Sequence, residues 1–336
     1  MGKRHLSLQQ QRRILAGRRA SPGQLDTPAN ATPERIGLVV ARYGREVDVI
    51  DPEDPAARAQ RCRLRSHLEP VVGDRVRWHQ DALHKVVVAL EPRRSVLRRR
   101  ERTGTRVLAA NIDQIVLVIA PQPEPHPALV DRFLAAAELE GIGALIVVNK
   151  SDLPDQRQVD AIARTRGRLG YPLIRVSALG GDGTEALATH LQGRISLFCG
   201  QSGVGKSSLI NRLFPQANAN VGHLSAAAAK GRHTTTVARY YALAESPLAH
   251  KPPPEIGRHP GGAVIDSPGI REFDVPATGA DELLQGFTEL RNLAGDCRFR
   301  NCRHQDDPGC AILAAIALKR VDAGRLASFH QLLNAG

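Results

Sequence analysis

The first regular hydrophobic pattern along the chain lies between residues 35 and 100, where short apolar runs alternate with turn residues. The runs cover residues 36–41, 47–50, 61–64, 76–78 and 85–90. Several short strands at this spacing predict a small β-barrel. The basic residues that flank the segment favour an oligonucleotide-binding (OB) barrel, and an SH3-like barrel is the alternative that the pattern leaves open.

Between residues 111 and 275 the apolar positions alternate between the period of strands and that of helices. Strands are predicted at 115–120, 144–148, 173–176, 195–199 and 263–265, and helices at 127–140, 155–169 and 184–192. This alternation predicts a mostly parallel sheet with ligand loops at the carboxyl ends of its strands. Helical segments at 281–293 and 311–320 follow. The fold class predicted is therefore a multidomain α/β protein.

A phosphate-binding loop is predicted directly after the strand at 195–199. The pattern G-x-x-x-x-G-K-[ST] is matched by Gly200, Gln201, Ser202, Gly203, Val204, Gly205, Lys206 and Ser207. Backbone amides of such a loop wrap the α- and β-phosphates, because glycine removes the Cβ. Lys206 would place its charge between the β- and γ-phosphates, and Ser207 would offer its hydroxyl to Mg²⁺. Ser208 completes this set of predicted contacts.

A guanine-reading motif follows the strand at 144–148. It consists of Asn149, Lys150, Ser151 and Asp152. The Asp152 carboxylate can accept from both N1–H and the exocyclic amine of guanine. Adenine lacks that pair of donors and would leave the carboxylate unpaired, so the motif predicts strong discrimination. Ser177 and Ala178, at the end of another strand, are predicted to supply a backbone amide near the base oxygen.

A third nucleotide motif, D-x-x-G, follows the apolar strand at 263–265. Asp266 would hold Mg²⁺ through water, and the amide of Gly269 would sense the γ-phosphate. The guanine motif precedes the phosphate loop along the chain, whereas an ordinary GTPase has the opposite order. All of these motifs lie at strand ends, so together they predict a circularly permuted P-loop GTPase domain. Its predicted catalytic groups include Lys206, Ser207 and Asp266.

A metal site is predicted beyond this domain. Cysteine and histidine side chains cluster there with the spacing C-x4-C-x-H-x5-C, at Cys297, Cys302, His304 and Cys310. Four such ligands close a tetrahedral shell around zinc and leave no open position. The pattern therefore predicts one structural Zn²⁺ per chain in a C-terminal helical domain.

Charge and composition indicate the kind of partner. The 336 residues carry a formal net charge of +12, which predicts a polyanionic partner. Residues 1–20 are basic, with no acid and no signal-peptide pattern, and are predicted to form a disordered tail. The longest apolar runs are too short to span a bilayer, so we expect no membrane association. Tyr43 and Trp78 are the only aromatics of the predicted barrel, which favours phosphate contacts over base stacking.

From about residue 35 to 335 the chain resembles the ribosome small-subunit-dependent GTPases of bacteria. The shared strings are Asn-Ile-Asp-Gln at 111–114, the three nucleotide motifs, Gly-Arg-His-Thr-Thr-Thr at 231–236, the stretch 266–273 and the Cys/His spacing. The resemblance implies an OB barrel, 16S rRNA binding, and GTP hydrolysis stimulated by the small (30S) subunit late in its maturation. It also implies that Thr234 or Thr235 is the switch I threonine that reaches Mg²⁺ and the γ-phosphate. We further expect a cytoplasmic monomer.

The chain departs from the family pattern in two places. The segment 246–262 is longer than expected and is predicted to be an exposed insertion, and alanines at 226–229 replace a more polar switch I stretch. Ile270 stands where a Ras-type enzyme has the glutamine that orients the attacking water. We therefore predict slow hydrolysis by the chain alone. His233 is the candidate for positioning the water, and the alternative is that it only contacts RNA or solvent.

The function predicted from the sequence is that of a GTP hydrolase acting in small-subunit maturation. The alternative is a GTP-regulated rRNA-binding adaptor in which hydrolysis is incidental. The predicted units are a basic tail and linker (1–34), the barrel (35–100), the GTPase domain (101–278) and the zinc-binding domain (279–336).

Overall fold

The computed structural model describes residues 32–52, 59–101, 104–214, 239–243, 262–266 and 279–335. Its first unit is a closed five-stranded barrel. The strands are β1 (Arg35–Tyr43), β2 (Glu46–Ile50), β3 (Gln60–Leu64), β4 (Arg75–Gln80) and β5 (Lys85–Leu90), in the order β1-β2-β3-β5-β4. Pairing is antiparallel except between β3 and β5. This is the strand order of an OB barrel, so the OB prediction is confirmed over the SH3-like alternative.

The barrel interior is filled by the inward-facing positions of its strands. Valines dominate this core, together with one cysteine and the single tryptophan: Val39, Val47, Val49, Cys62, Val76, Trp78 and Val87. Alternate residues along each strand point to opposite sides, so the apolar side chains of the cluster face the barrel interior. The basic residues of the barrel are therefore left on its outer surface.

The arginine-rich stretch after the barrel forms a β-hairpin, which the sequence analysis did not predict. It consists of β6 (Val96–Glu101) and β7 (Gly104–Ala110). Leu97 and Ala109 turn inward and join the hydrophobic cluster of the neighbouring parallel sheet. The hairpin therefore rests on that sheet, and the predicted domain boundary at residues 100 and 101 lies within β6.

A polar joint ties the barrel to the parallel-sheet unit. Arg93 makes two 2.7 Å hydrogen bonds to the fully buried carboxylate of Asp74. Asn111, with φ of 56°, donates to Gly73 O at 2.8 Å and accepts from Arg94 N at 2.8 Å. A buried carboxylate with a bidentate arginine is geometrically specific. The joint therefore fixes how the barrel meets its neighbour.

The central unit is a six-stranded sheet, described here by the strands β8 (Gln114–Ile119), β9 (Gly143–Val148), β10 (Leu173–Arg175), β11 (Ile195–Cys199), β12 (Arg239–Ala242) and β13 (Ala263–Asp266). Its order is β10-β9-β8-β11-β13-β12, and only the β12–β13 pair is antiparallel. The helices are α1 (Pro127–Leu139), α2 (Arg157–Gly167), α3 (Thr184–Leu191) and α4 (Lys206–Leu213). Apolar clusters cover both faces of the sheet, as expected for parallel strands.

The C-terminal unit contains the helices α5 (Ala280–Gln285), α6 (Thr288–Ala294), α7 (Ala311–Ala317) and α8 (Ala323–Ala335). The single helix predicted at 281–293 is thus two helices, divided at Gly286 and Phe287. Phe287 is fully buried, and a Cβ at Gly286 would lie 2.9 Å from Ala135 O on α1. The chain bends there because it packs closely against α1. Across the described ranges, no helix is long and apolar enough to cross a bilayer.

A buried ionic cluster joins the C-terminal unit to the central one. Asp131 on α1 accepts from Arg166 Nε and Nη2 at 2.9 and 2.7 Å, and from Arg325 Nη1 at 2.9 Å. Ser328 Oγ adds a fourth hydrogen bond at 2.6 Å. Arg325, 1% exposed, also donates to both carboxylate oxygens of Glu289 at 2.6 and 3.1 Å. Helices α1, α2, α6 and α8 are thereby fixed to one another.

Candidate nucleotide site and candidate metal centre

The phosphate loop lies at the carboxyl end of β11, in the middle of the sheet. Every residue of β11 is buried, and the loop that follows requires glycine at two close approaches. Gly200 has φ of 129°, and a Cβ there would lie 2.2 Å from Val118 O. Gly205 has φ of 92°, and a Cβ there would lie 2.3 Å from Asn149 Nδ2. The loop therefore has its predicted place and backbone shape.

Lys206 begins α4, and its ammonium group folds back over the loop. Lys206 Nζ donates to Gly200 O and Gln201 O, both at 2.7 Å. The residue before the helix, Gly205, provides no side-chain cap, so the first-turn amides of α4 are not capped by it. Such amides and the helix dipole favour an anion. Ser207 and Ser208 are exposed on this first turn.

Asn149 holds the guanine motif and the phosphate loop together. Its side chain is 1% exposed, donates to Val204 O at 2.8 Å and accepts from Ala178 N at 3.1 Å. Lys150 Nζ adds bonds to Gln122 O at 2.8 Å and Gly203 O at 2.9 Å. Loops from three distant parts of the chain thus meet around one amide side chain. The Ala178 amide is directed at Asn149 in this arrangement.

The Asp152 carboxylate is held in a fixed direction by Ser177. Ser177 Oγ donates to Asp152 Oδ1 at 2.6 Å and accepts from Gly180 N at 2.9 Å. Because the hydroxyl accepts from the Gly180 amide, its proton is directed at the carboxylate. Ser151 N bonds Val176 O at 3.1 Å, which joins the two loops through the backbone as well. The four residues of the motif therefore form an ordered turn beside the phosphate loop.

The predicted Mg²⁺ ligands belong to adjacent elements. Asp266 ends β13, which pairs in parallel with β11, and it is half-buried. Ser207 lies one residue beyond the loop that β11 leads into. The other residues predicted to face the γ-phosphate and the attacking water lie outside the described residues, namely His233, Thr234, Thr235 and Gly269.

One contact in the site has no signal in the sequence. Gln156 Nε2 donates to Lys150 O at 3.1 Å and to Leu153 O at 2.8 Å. Both carbonyls belong to the turn that carries the guanine motif. A glutamine four residues after that motif matches no pattern, so sequence reasoning did not select it.

The four predicted metal ligands come together in the C-terminal unit. Their ligand atoms all lie within 4.8 Å of one another. Cys297 Sγ is 3.7 Å from His304 Nδ1 and 4.0 Å from Cys310 Sγ, and Cys310 Sγ is 3.5 Å from His304 Nδ1. A tetrahedral zinc with ordinary bond lengths needs edges of about 3.5–3.8 Å. Burial lowers the pKa of His304, which favours the neutral ring that a metal ion requires. This donor set could hold a metal ion.

The parallel sheet, the phosphate loop and the guanine turn define a P-loop GTPase. Its guanine motif precedes the phosphate loop along the chain, so the order of its elements is circularly permuted. The family model described as RsgA GTPase matches residues 90–276. A relative from Pseudomonas aeruginosa is 42% identical, with 99% of this chain and 98% of the relative covered. A relative from Ectopseudomonas mendocina is 45% identical over 90% of this chain and 85% of its own. The chain belongs to the RsgA GTPase family.

Two solved structures share the fold. YjeQ from Thermotoga maritima superposes with a TM-score of 0.68 at 28% identity, over 90% of this chain and 98% of YjeQ. YloQ, described as a circularly permuted GTPase, gives a TM-score of 0.65 at 25% identity, over 93% and 97% of the two chains. The permuted arrangement predicted from motif order is therefore confirmed.

Proposed function

We propose that this chain binds the small ribosomal subunit and hydrolyses GTP as a factor in the biogenesis of that subunit. The observation that carries the nucleotide half is the position of Asn149, whose amide joins the phosphate loop to the guanine turn and to Ala178. The curated relatives carry the name small ribosomal subunit biogenesis GTPase, which supports the subunit half.

The proposed GTP-binding residues fall into two groups. Those around the phosphates are Gly200, Gln201, Ser202, Gly203, Val204, Gly205, Lys206, Ser207, Ser208, Thr234, Thr235, Asp266 and Gly269. Those around the base are Asn149, Lys150, Ser151, Asp152, Ser177 and Ala178. Lys206 must leave its loop carbonyls to reach the β- and γ-phosphates, an exchange of two neutral acceptors for charged ones. Its role is to offset the charge that builds up in phosphoryl transfer.

Ser207 and Asp266 are the proposed Mg²⁺ ligands. An exposed hydroxyl and a half-buried carboxylate on adjacent elements supply the oxygen ligands that this cation prefers. Bound there, the ion supplies charge neutralisation between the β- and γ-phosphates. His233 remains our candidate for orienting the attacking water, because Ile270 cannot form a hydrogen bond to it.

For the C-terminal cluster we propose a structural Zn²⁺ bound by Cys297, Cys302, His304 and Cys310. The 3.7 and 3.5 Å distances from His304 Nδ1 to two of the thiols match the edges of a tetrahedral zinc site, and all four positions are protein ligands. A disulfide is not needed to explain the crowding of three thiols. The role of the metal is to stabilise the fold of this helical unit.

The proposed nucleic-acid partner is 16S rRNA. The formal net charge of +12 and the basic stretches on either side of the barrel favour contacts to phosphates. We propose that the chain acts as a cytoplasmic monomer, with a tail and linker (1–34), a barrel (35–100), a GTPase unit (101–278) on which the whole β6–β7 hairpin packs, and a metal-binding unit (279–336).

The nucleotide assignment is tested by replacing Asp152 with asparagine. The amide can donate to the xanthine oxygen where the carboxylate accepted from guanine, so GTP binding should weaken and xanthosine triphosphate should now bind. Calorimetric titration of both nucleotides into parent and variant measures this exchange. If Asp152→Asn binds GTP as well as the parent does, the guanine assignment is wrong. Lys206→Ala should abolish turnover in the same preparations.

The adaptor alternative is separated from the enzyme by linkage. If GTP controls the affinity of the chain for the subunit, a non-hydrolysable GTP analogue should tighten subunit binding. Small subunits should then tighten analogue binding by the same factor. Affinity must be compared at one salt concentration because phosphate contacts are salt-sensitive. Equal subunit affinity with GDP and with the analogue would show that the bound nucleotide does not control subunit binding. Nucleotide-dependent affinity without accelerated turnover would favour the adaptor.

A further inference from the structure

The turn that carries Asp152 is closed by a side chain that no nucleotide motif includes. Leu153 N donates to Lys150 O at 3.1 Å, so residues 150–153 form one turn with Asp152 inside it. Gln156 Nε2 donates to the carbonyls at both ends of this turn, Lys150 O at 3.1 Å and Leu153 O at 2.8 Å. Lys150 itself is in the left-handed region, with φ of 57°.

The orientation of the Gln156 amide is fixed by its neighbours. If its oxygen and nitrogen exchanged places, the oxygen would face two carbonyl oxygens and neither could donate. In the observed orientation Oε1 is buried and finds no hydrogen-bond partner among the residues that the structure describes, an arrangement that has a free-energy cost. Two hydrogen bonds to the turn therefore offset a buried, unpaired oxygen. The side chain also makes no cap for α2, which begins at the next residue.

From this geometry we propose that Gln156 is a positioning residue for guanine recognition. It holds the backbone of the turn, while Ser177 holds the Asp152 carboxylate at 2.6 Å. Together they direct both carboxylate oxygens at the base edge. The inference rests on the proposed function, since it concerns the same guanine-reading residue.

Inosine nucleotides separate positioning from stability. Inosine has N1–H but lacks the exocyclic amine, so inosine diphosphate (IDP) offers Asp152 one hydrogen bond where GDP offers two. Misplacing Asp152 should therefore weaken GDP binding more than IDP binding. General loosening of the fold should weaken both alike. The ratio of the two affinities reports on positioning.

Two variants carry the test. Gln156→Glu keeps the shape but turns a carboxylate towards two carbonyls, so both hydrogen bonds are lost. We expect GDP binding to weaken about tenfold and IDP binding by no more than about threefold. Gln156→Met removes the hydrogen-bond donors, so it should lower the ratio of GDP affinity to IDP affinity. Because it also removes the unpaired oxygen, it should not lower the melting temperature.

The matched control is Gln192→Ala. Gln192 is also half-buried, but it directly follows the last residue of α3, at the end of the sheet opposite the nucleotide loops. Its substitution should leave the GDP-to-IDP ratio unchanged.

Titrations of the full chain with GDP and with IDP give the result. A lowered ratio in both Gln156 variants supports the proposal. An unchanged ratio in a folded Gln156→Met protein overturns it. A parent that does not prefer GDP over IDP would instead overturn the guanine assignment itself.

Discussion

Removing the charge of Asp131 should loosen the C-terminal unit from the GTPase core. Asp131 is fully buried and accepts four hydrogen bonds, three of them from Arg166 and Arg325, which are 3% and 1% exposed. Asp131→Asn removes the carboxylate charge that Arg166 and Arg325 share, while Glu289, 12% exposed, stays paired with Arg325 alone. Breaking a buried ion pair by removing one partner costs about 3–5 kcal/mol. Ser328→Ala removes one hydrogen bond to the carboxylate and should cost about 1.5 kcal/mol.

The assay must observe the C-terminal unit itself. The single tryptophan, Trp78, lies in the barrel core, so its fluorescence reports on a different unit. Several units also make a single two-state transition an unsafe assumption. Hydrogen exchange of the α8 amides is the suitable measurement. If the free energy of opening α8 falls by about 3 kcal/mol, its amides should exchange at least about 100-fold faster. Exchange of the β4 amides should stay unchanged.

The control is an ion pair in full solvent. Arg157 and Asp155 lie 3.0 Å apart, with side chains 89% and 65% exposed. Asp155→Asn should leave α8 exchange close to that of the parent, because screened surface pairs contribute little. If Asp131→Asn speeds α8 exchange no more than Asp155→Asn does, the ionic cluster does not hold the two units together. The double variant with Arg325→Met should fall short of the summed single effects, since the two residues share partners.

Three further predictions address the nucleotide and metal sites. Gly205→Ala should sharply weaken GDP binding in calorimetry, because the new Cβ would lie 2.3 Å from Asn149 Nδ2. The control is Gly44→Ala, at φ of 63° with open space around it, which should leave GDP binding intact. His233→Ala should bind GTP normally yet lose subunit-stimulated hydrolysis in single-turnover assays, and an undiminished rate would exclude that residue. Cys302→Ala should lower the metal content from one zinc per chain and the helical circular dichroism with it; folded parent protein without zinc would contradict the assignment.

Much of the nucleotide site could be predicted from the sequence because its chemistry is local. The phosphate loop needs glycine where the backbone passes close to Val118 and Asn149, and those glycines are readable without a structure. The metal ligands are also close in sequence, and the structure places their atoms within 4.8 Å of one another. Strand patterns gave the barrel, and the pairing of β3 with β5 then separated an OB barrel from its alternative.

Contacts between distant segments left no such pattern. Asp131 and Arg325 are separated by 194 positions, and each looks like an ordinary surface charge on an amphipathic helix. In the sequence, the arginines between residues 93 and 106 appear only as part of the basic flank of the barrel, yet Leu97 and Ala109 are buried in a hydrophobic cluster and residues 96–110 form a packed hairpin. Gln156 is the same kind of case, because its role depends on which carbonyls the turn brings near it. Burial and pairing decide these roles, and one sequence does not reveal them.

Activation of GTP hydrolysis by the small subunit is the property that most directly defines the proposed function of this chain. Single-turnover hydrolysis should be measured with the full chain alone, with purified small subunits and with purified large subunits, at one salt concentration. We predict slow hydrolysis alone, a strong acceleration by small subunits that Lys206→Ala abolishes, and no acceleration by large subunits. An unchanged rate with saturating small subunits that demonstrably bind the chain would contradict the account.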